Sequence, residues 1–77
     1  MQDPIAVKTN LGKRVRQLRQ KRGLSQEDFA HESGLGRSFA GSIERGERDI
    51  RITTICKLAD FFRLSLSQLL KGVDDAE

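Results

Sequence analysis

Apolar residues along the first third of the chain recur at helical intervals. Between Lys8 and Arg22, Leu11, Val15 and Leu18 fall at i, i+4 and i+7, one stripe on an otherwise polar and basic segment. That spacing predicts a helix with a single buried edge. Gly23 ends it, and Lys21 and Arg22 in its last turn complement the negative end of the helix dipole. Leu24 then precedes Ser25, a good N-cap, with Asp28 three positions on as an Asp-for-Glu capping box. A second helix therefore starts at Gln26, turns Phe29 and Ala30 inward, and leaves through Gly34, where glycine accepts positive φ without a Cβ clash. A third, Arg37 to Arg45, sets Ala40 and Ile43 on one face while Arg37, Ser38, Gly41 and Ser42 point elsewhere, and Gly46 closes it.

The pattern continues beyond a charged connection, residues 47–51, in which Ile50 is the sole apolar anchor. Ile52, Ile55, Leu58, Ala59 and Phe62 mark a fourth helix that is apolar over a broad face, although Arg51 before it offers no capping acceptor. Ser65 and Gln68 form a capping box for a short fifth helix carrying Leu66, Leu69 and Leu70, which Gly72 ends. Met1 to Val7 contains Pro4 and shows no helical period, so it reads as an extended arm or a frayed terminus. The expected fold is all-α: five helices and no strand, one compact domain over residues 8–72, an arm at 1–7 and an acidic tail at 73–77.

Length and charge narrow the function. Seventy-seven residues hold one core. The net charge is only +3, but Lys8, Lys13, Arg14, Arg16, Arg19, Lys21 and Arg22 crowd the first helix without an acid among them, whereas Asp74, Asp75 and Glu77 gather at the end. Such a distribution suits a side that faces a polyanion, or simply a solvated helix face. A lone cysteine supports neither an internal disulfide nor a multi-cysteine metal site. No apolar run approaches the roughly 18 to 20 residues that span a bilayer, and no signal peptide is visible, so a cytoplasmic location and no membrane are expected.

Two helices joined by a short glycine-containing turn, residues 25–46, form the arrangement called helix-turn-helix, whose second helix enters the DNA major groove. Residues 24–48, LSQEDFAHESGLGRSFAGSIERGER, resemble the helix-turn-helix of the phage lambda-repressor/Cro type, the XRE family. Gln26 after the serine, Phe29-Ala30, the Gly34 turn and Ile43-Glu44-Arg45-Gly46 all stand at that family's spacing, and the match runs over roughly residues 8–72. The resemblance implies a compact five-helix lambda-repressor-like domain that regulates transcription by binding double-stranded DNA. Ala40 stands where relatives usually carry a larger aliphatic residue.

Enzyme chemistry has little to work with. His31 is isolated on a surface position of helix 2, and Cys56 between Ile55 and Leu58 reads as a small core hydrophobe. No metal spacing, phosphate loop or nucleophile motif occurs, so a non-enzyme without metal or cofactor is expected. DNA recognition is better supplied. With the N-terminal residues of the second motif helix nearest the bases, Arg37 and Ser38 lead and Ser42 follows one turn on. Arg37 can donate two parallel bonds to guanine or contact a phosphate instead. Phe39, at a position that often carries an aromatic in the family, can cover a thymine methyl, a sugar or the domain's own edge. Gly41 fits a close approach to DNA or to a neighbouring backbone. Gln26 matches the family residue that contacts phosphate and braces the recognition helix; Arg45, Arg48, Arg14 and Arg22 are candidates for backbone or flanking contacts. Glu44 should pair with a basic residue of a neighbouring element, helix 1 included, as a structural ion pair.

A domain this small reads few base pairs, so a homodimer on an inverted repeat is expected, with half-sites about 34 Å apart. Phe61, Phe62, Leu64, Leu66, Leu69, Leu70 and Val73 are the candidate interface, or else the core beneath helices 1 and 4. Repression is the favoured mode, with contact to RNA polymerase for activation; control of a restriction-modification system is a subclass of the same reading. The rival is an antitoxin or adaptor that binds a small protein partner and keeps DNA binding for autoregulation.

Overall fold

The computed structural model describes residues 2–74, and these form five helices: α1 (Pro4–Lys21), α2 (Gln26–Ser33), α3 (Arg37–Glu44), α4 (Ile52–Phe62) and α5 (Leu66–Leu69). No strand occurs among the described residues. Four of the five helices begin within a residue of the positions read from the sequence. The exception is α1. Residues 4–7, expected as an arm, are its first turn, because Pro4 takes the first helical position and the Asp3 carboxylate accepts from the Ile5 N–H at 3.0 Å. Proline is well placed there, since its missing N–H has no intrahelical partner to lose and its φ is already helical.

Side-chain caps fix the starts of α2 and α5. The Ser25 hydroxyl accepts from the Asp28 N–H at 2.9 Å, and the Ser65 box closes in both directions with Gln68. α3 follows Gly34 and Gly36, whose φ values of 75° and 84° are costly for any residue with a Cβ, and Gly36 caps it without a side chain. α4 starts after Arg51 with no side-chain cap, as the missing acceptor implies.

The core joins all five helices through Leu11, Val15, Phe29, Ala30, Ala40, Ile43, Leu58, Ala59, Phe62, Leu69 and Val73. Phe29, Phe61 and Phe62 meet with centroids 5.1 to 5.6 Å apart, tying α2 to the end of α4. Each fully buried large side chain here contributes roughly 1.5 to 3 kcal/mol. Three expectations change. Phe62, Leu69 and Val73 belong to this core and not to a free interface, because the C-terminal turn folds back until the Asn10 amide donates to the Val73 carbonyl at 2.9 Å. Val73 therefore closes the domain; residues 75–77 of the acidic tail lie outside the described residues. Cys56 is exposed, and Ile52 is 72% exposed: the buried face of α4 runs through Leu58, Ala59 and Phe62, with Ile55 at its edge.

Candidate nucleic-acid interface

What α3 can present depends on how its back is held. Leu11, Gly12, Val15 and Arg19 lie at helical intervals on α1 and are all buried. At Gly12 the two helices touch backbone to backbone: a Cβ there would stand 2.6 Å from the Ile43 and Glu44 carbonyl oxygens. One turn further, at Gly46, a Cβ would stand 2.8 Å from the Thr9 Cα. α1 thus fits along the C-terminal half of α3 with no room for a methyl group.

A buried ion pair secures the same seam. Arg19 donates from Nε and Nη2 to the two Glu44 oxygens at 2.7 and 3.0 Å, and from Nη1 to the Leu24 carbonyl at 2.9 Å. The two side chains are only 11% and 4% exposed. Gln26, at the start of α2, donates to the same Glu44 carboxylate at 3.3 Å. Three helices therefore converge on one carboxylate. A fork-shaped guanidinium on a carboxylate fixes direction as well as distance, which a point charge does not. Glu44 has the helix 1 partner expected of it, and Gln26 braces α3. Gly41 is explained by the same bracing, since a Cβ there would meet the Gln26 Oε1 at 3.3 Å and the Arg45 Nη1 at 3.0 Å.

Outward, α3 begins with Arg37 and Ser38, both exposed. Arg37 lies 3.7 Å from Glu27 in a pair about three-quarters exposed on each side, a contact of little energetic weight that leaves the guanidinium available. Arg45 and Arg48 are exposed just past the helix. Arg45 donates to Glu47 at 3.0 Å; that hydrogen bond holds the Glu47 carboxyl below the usual carboxylate range and raises Arg45 in turn.

Ser42 is corrected. It is 5% exposed, with its hydroxyl donating to the Phe39 carbonyl at 2.7 Å and accepting from the Arg48 Nε at 2.9 Å. It reads no base from there. The helical spacing that put it on the face of Ser38 is real, but the chain after Gly46 turns back across that side. Phe39 is half-buried, packed on the core at the domain's edge with the Arg48 guanidinium 5.4 Å from its ring centre.

Arg14 and Arg22 are partly taken up by the fold. Arg14 donates to the Gln68 and Leu69 carbonyls at 2.7 and 3.2 Å, satisfying the open end of α5. Arg22 donates to the Phe61 carbonyl at 2.6 Å and lies 4.8 Å over its ring. With Arg19 in the core, three of the seven basic residues between Lys8 and Arg22 serve the fold itself. Residue spacing carries no sign of this, because hydrogen bonds to carbonyls leave no trace in it. Gly12 is a further residue absent from the sequence-predicted set, although a glycine on the buried stripe beside Leu11 is a signal for close helix packing.

Comparison with known proteins decides what this arrangement is. Residues 15–69 match the model of the HTH_3 family, described as helix-turn-helix. The chain belongs to the helix-turn-helix family. This family includes DNA-binding transcriptional regulators, and among the relatives of this helix-turn-helix chain is the control protein C.SmaI of Serratia marcescens, 41% identical over 64 residues that make up 83% of this chain and 76% of that one. Control protein C.MunI of a Mycoplasma species is 32% identical over 69 residues, 88% and 93% of the two chains. Among solved structures, the restriction-modification controller protein C.AhdI of Aeromonas hydrophila superposes with a TM-score of 0.73 at 43% identity, over 79% of this chain and 92% of that one. No helix among the described residues is long and apolar enough to cross a membrane, and no cluster of metal-ligating side chains occurs among them.

Proposed function

We propose that this helix-turn-helix regulator binds an inverted-repeat operator as a homodimer and acts as a repressor, with the genes of a restriction-modification system as its target. One observation carries the DNA reading: α3 is locked at its back by the Arg19, Glu44 and Gln26 network while Arg37 and Ser38 stand free at its front. A rigid rod with a free N-terminal guanidinium suits the major groove, where Arg37 reads guanine through O6 and N7 and Ser38 contacts the adjacent position. Gln26, Arg45 and Arg48 hold the flanking phosphates, which adds affinity without selecting sequence. The relatives named as control and controller proteins support the restriction-modification target.

The self-association face is smaller than the sequence suggested. With Phe62, Leu69 and Val73 in the core, and Phe61, Leu64 and Leu70 half-buried against it, Leu66 is the exposed member of the expected face, and Ile52, exposed, with Ile55, half-buried, adds apolar surface from α4 that the sequence reading did not include. Ile55 and Leu70 line an open apolar groove of about 480 Å³, together with Val7, Leu11 and Val73. A second copy covering this groove would place two α3 helices for a two-fold site. The regulator reading assigns this chain no catalytic role, and contact with RNA polymerase belongs to activator placement of the same dimer.

Selection of bound duplexes from a random pool, followed by the mass of the complex, tests the proposal. Two chains on a two-fold repeat are expected; binding without sequence preference, or one chain per selected duplex, overturns it.

A further inference from the structure

Ser42 and Arg48 are joined in a way that the groove-reading residues are not. The Ser42 hydroxyl has one hydrogen and two lone pairs. Its hydrogen goes to the Phe39 carbonyl at 2.7 Å, so the oxygen turns its lone pairs outward, and Arg48 Nε–H donates to it at 2.9 Å. A donor that is itself polarised by a carbonyl makes the better acceptor. Below, the Arg48 guanidinium lies 5.4 Å from the centre of the Phe39 ring. Two restraints, a hydrogen bond to Nε and an aromatic ring under the guanidinium, hold an otherwise exposed arginine. Among the described residues nothing bonds its two terminal nitrogens. Ser42 lies one turn after Ser38 on α3, so the held guanidinium stands on the face of the helix that begins with exposed Ser38.

We infer that Ser42 is a positioning residue, which fixes the Arg48 guanidinium on the Phe39 ring so that its two free terminal amines meet a DNA phosphate beside the recognition helix. The inference rests on the DNA-binding reading above. Arginine in solution carries large rotamer freedom, and ordering it on binding costs affinity; an arginine ordered beforehand has already met that cost. Arg45 offers the contrast, since its nearby partner is an exposed carboxylate that competes for the guanidinium, whereas Ser42 is neutral and leaves the full charge to the phosphate.

The test uses the full chain and its Ser42→Ala, Arg48→Ala and double variants. In the free protein, the Arg48 Nε–H resonance should exchange more slowly with water than those of Arg16 and Arg51, and should lose that protection in Ser42→Ala at unchanged Tm. On the duplex selected by the unaltered chain, Ser42→Ala should weaken binding about threefold to tenfold, the cost of ordering one long side chain. The salt slope should stay, because the phosphate contact still forms, while Arg48→Ala lowers the slope by about one. Adding Ser42→Ala to Arg48→Ala should cost nothing further. An Arg48 Nε–H that exchanges as freely as the others, or losses that add in the double variant, would overturn the positioning role and leave the regulator reading intact. An unaltered chain that binds no duplex overturns both.

Discussion

The back and the front of α3 are built on opposite terms. Behind it, every polar group is paired: Arg19 and Gln26 share the Glu44 carboxylate, and no buried side-chain nitrogen or oxygen among the described residues lacks a partner. In front, Arg37 and Ser38 are exposed and Arg37 has only a loose, solvated partner. One eight-residue helix thus carries a fixed side and an adaptable one. Affinity for a rigid duplex benefits from both, because a rod that is already oriented leaves only side chains to be ordered when it docks.

The largest effect should come from breaking the fixed side. Glu44→Ala strands the Arg19 guanidinium in a site where its side chain is 11% exposed, and removing one partner of a buried pair costs about 3 to 5 kcal/mol. Loss of that size removes much of the stability of a 77-residue domain, and urea denaturation should show it. Replacing both residues, Arg19→Met with Glu44→Leu, should restore most of the loss, since an apolar pair of similar volume carries no stranded charge. A Glu44→Ala protein within about 1 kcal/mol of the parent would mean that the seam is held by packing alone.

Gly12→Ala comes next. Alanine gains about 1 kcal/mol of helix propensity over glycine, but here its methyl would lie 2.6 Å from two carbonyl oxygens of α3, and backbone cannot step aside as a side chain does. Overpacking of this kind costs about 1 to 3 kcal/mol, so the domain should melt lower despite the better helix former. The same change at Gly41 meets only the ends of Gln26 and Arg45 and should be tolerated far better. Equal losses at the two glycines would contradict the close approach of α1 to α3.

On the adaptable side the order of effects reverses, with stability untouched and recognition changed. Arg37→Ala should leave Tm within about 1 °C, because surface substitutions rarely alter stability, and should relax preference at one operator position by about 1 to 3 kcal/mol. Selection repeated with the variant reads this directly. A variant that keeps the parent's base preference would move the reading of that position to another residue.

How much of this was legible in the sequence follows the same division. The starts of α2 and α5 and the inward placement of Phe29, Ala40 and Ile43 were readable, because capping and helical period act through near neighbours in the chain. The first turn of α1 was hidden because residues 1–7 show no helical period, and Pro4 among them is a helix starter. Ser42, Arg14 and Arg22 were assigned outward by helical spacing or by charge, and each is claimed by groups at least three and up to 55 positions away: the Phe39 carbonyl and Arg48, the end of α5, the Phe61 carbonyl and ring. Periodicity gives the direction in which a side chain leaves its helix. It does not say which other element has arrived there.

The smallest effect belongs to the exposed pair of Arg45 and Glu47, and it tests whether the front of the molecule faces phosphate at all. The hydrogen bond from Arg45 holds the Glu47 carboxyl below its usual range, so the pair's contribution to stability is present above the ordinary carboxylate value and lost as pH falls through the lowered one. Both partners are more than half exposed, and stability should barely register the change. DNA affinity should register it with the opposite sign. A phosphate must compete with Glu47 for Arg45, and the carboxylate itself repels the duplex. Glu47→Gln should therefore tighten binding about twofold to fivefold at low salt and by less at high salt, where screening has already weakened the competition. In an Arg45→Ala background the gain should shrink to what the lost negative charge supplies alone. Titrations at two salt concentrations check this, and a gain of the same size with and without Arg45 would show that Glu47 acts only through its charge and not by holding Arg45 back.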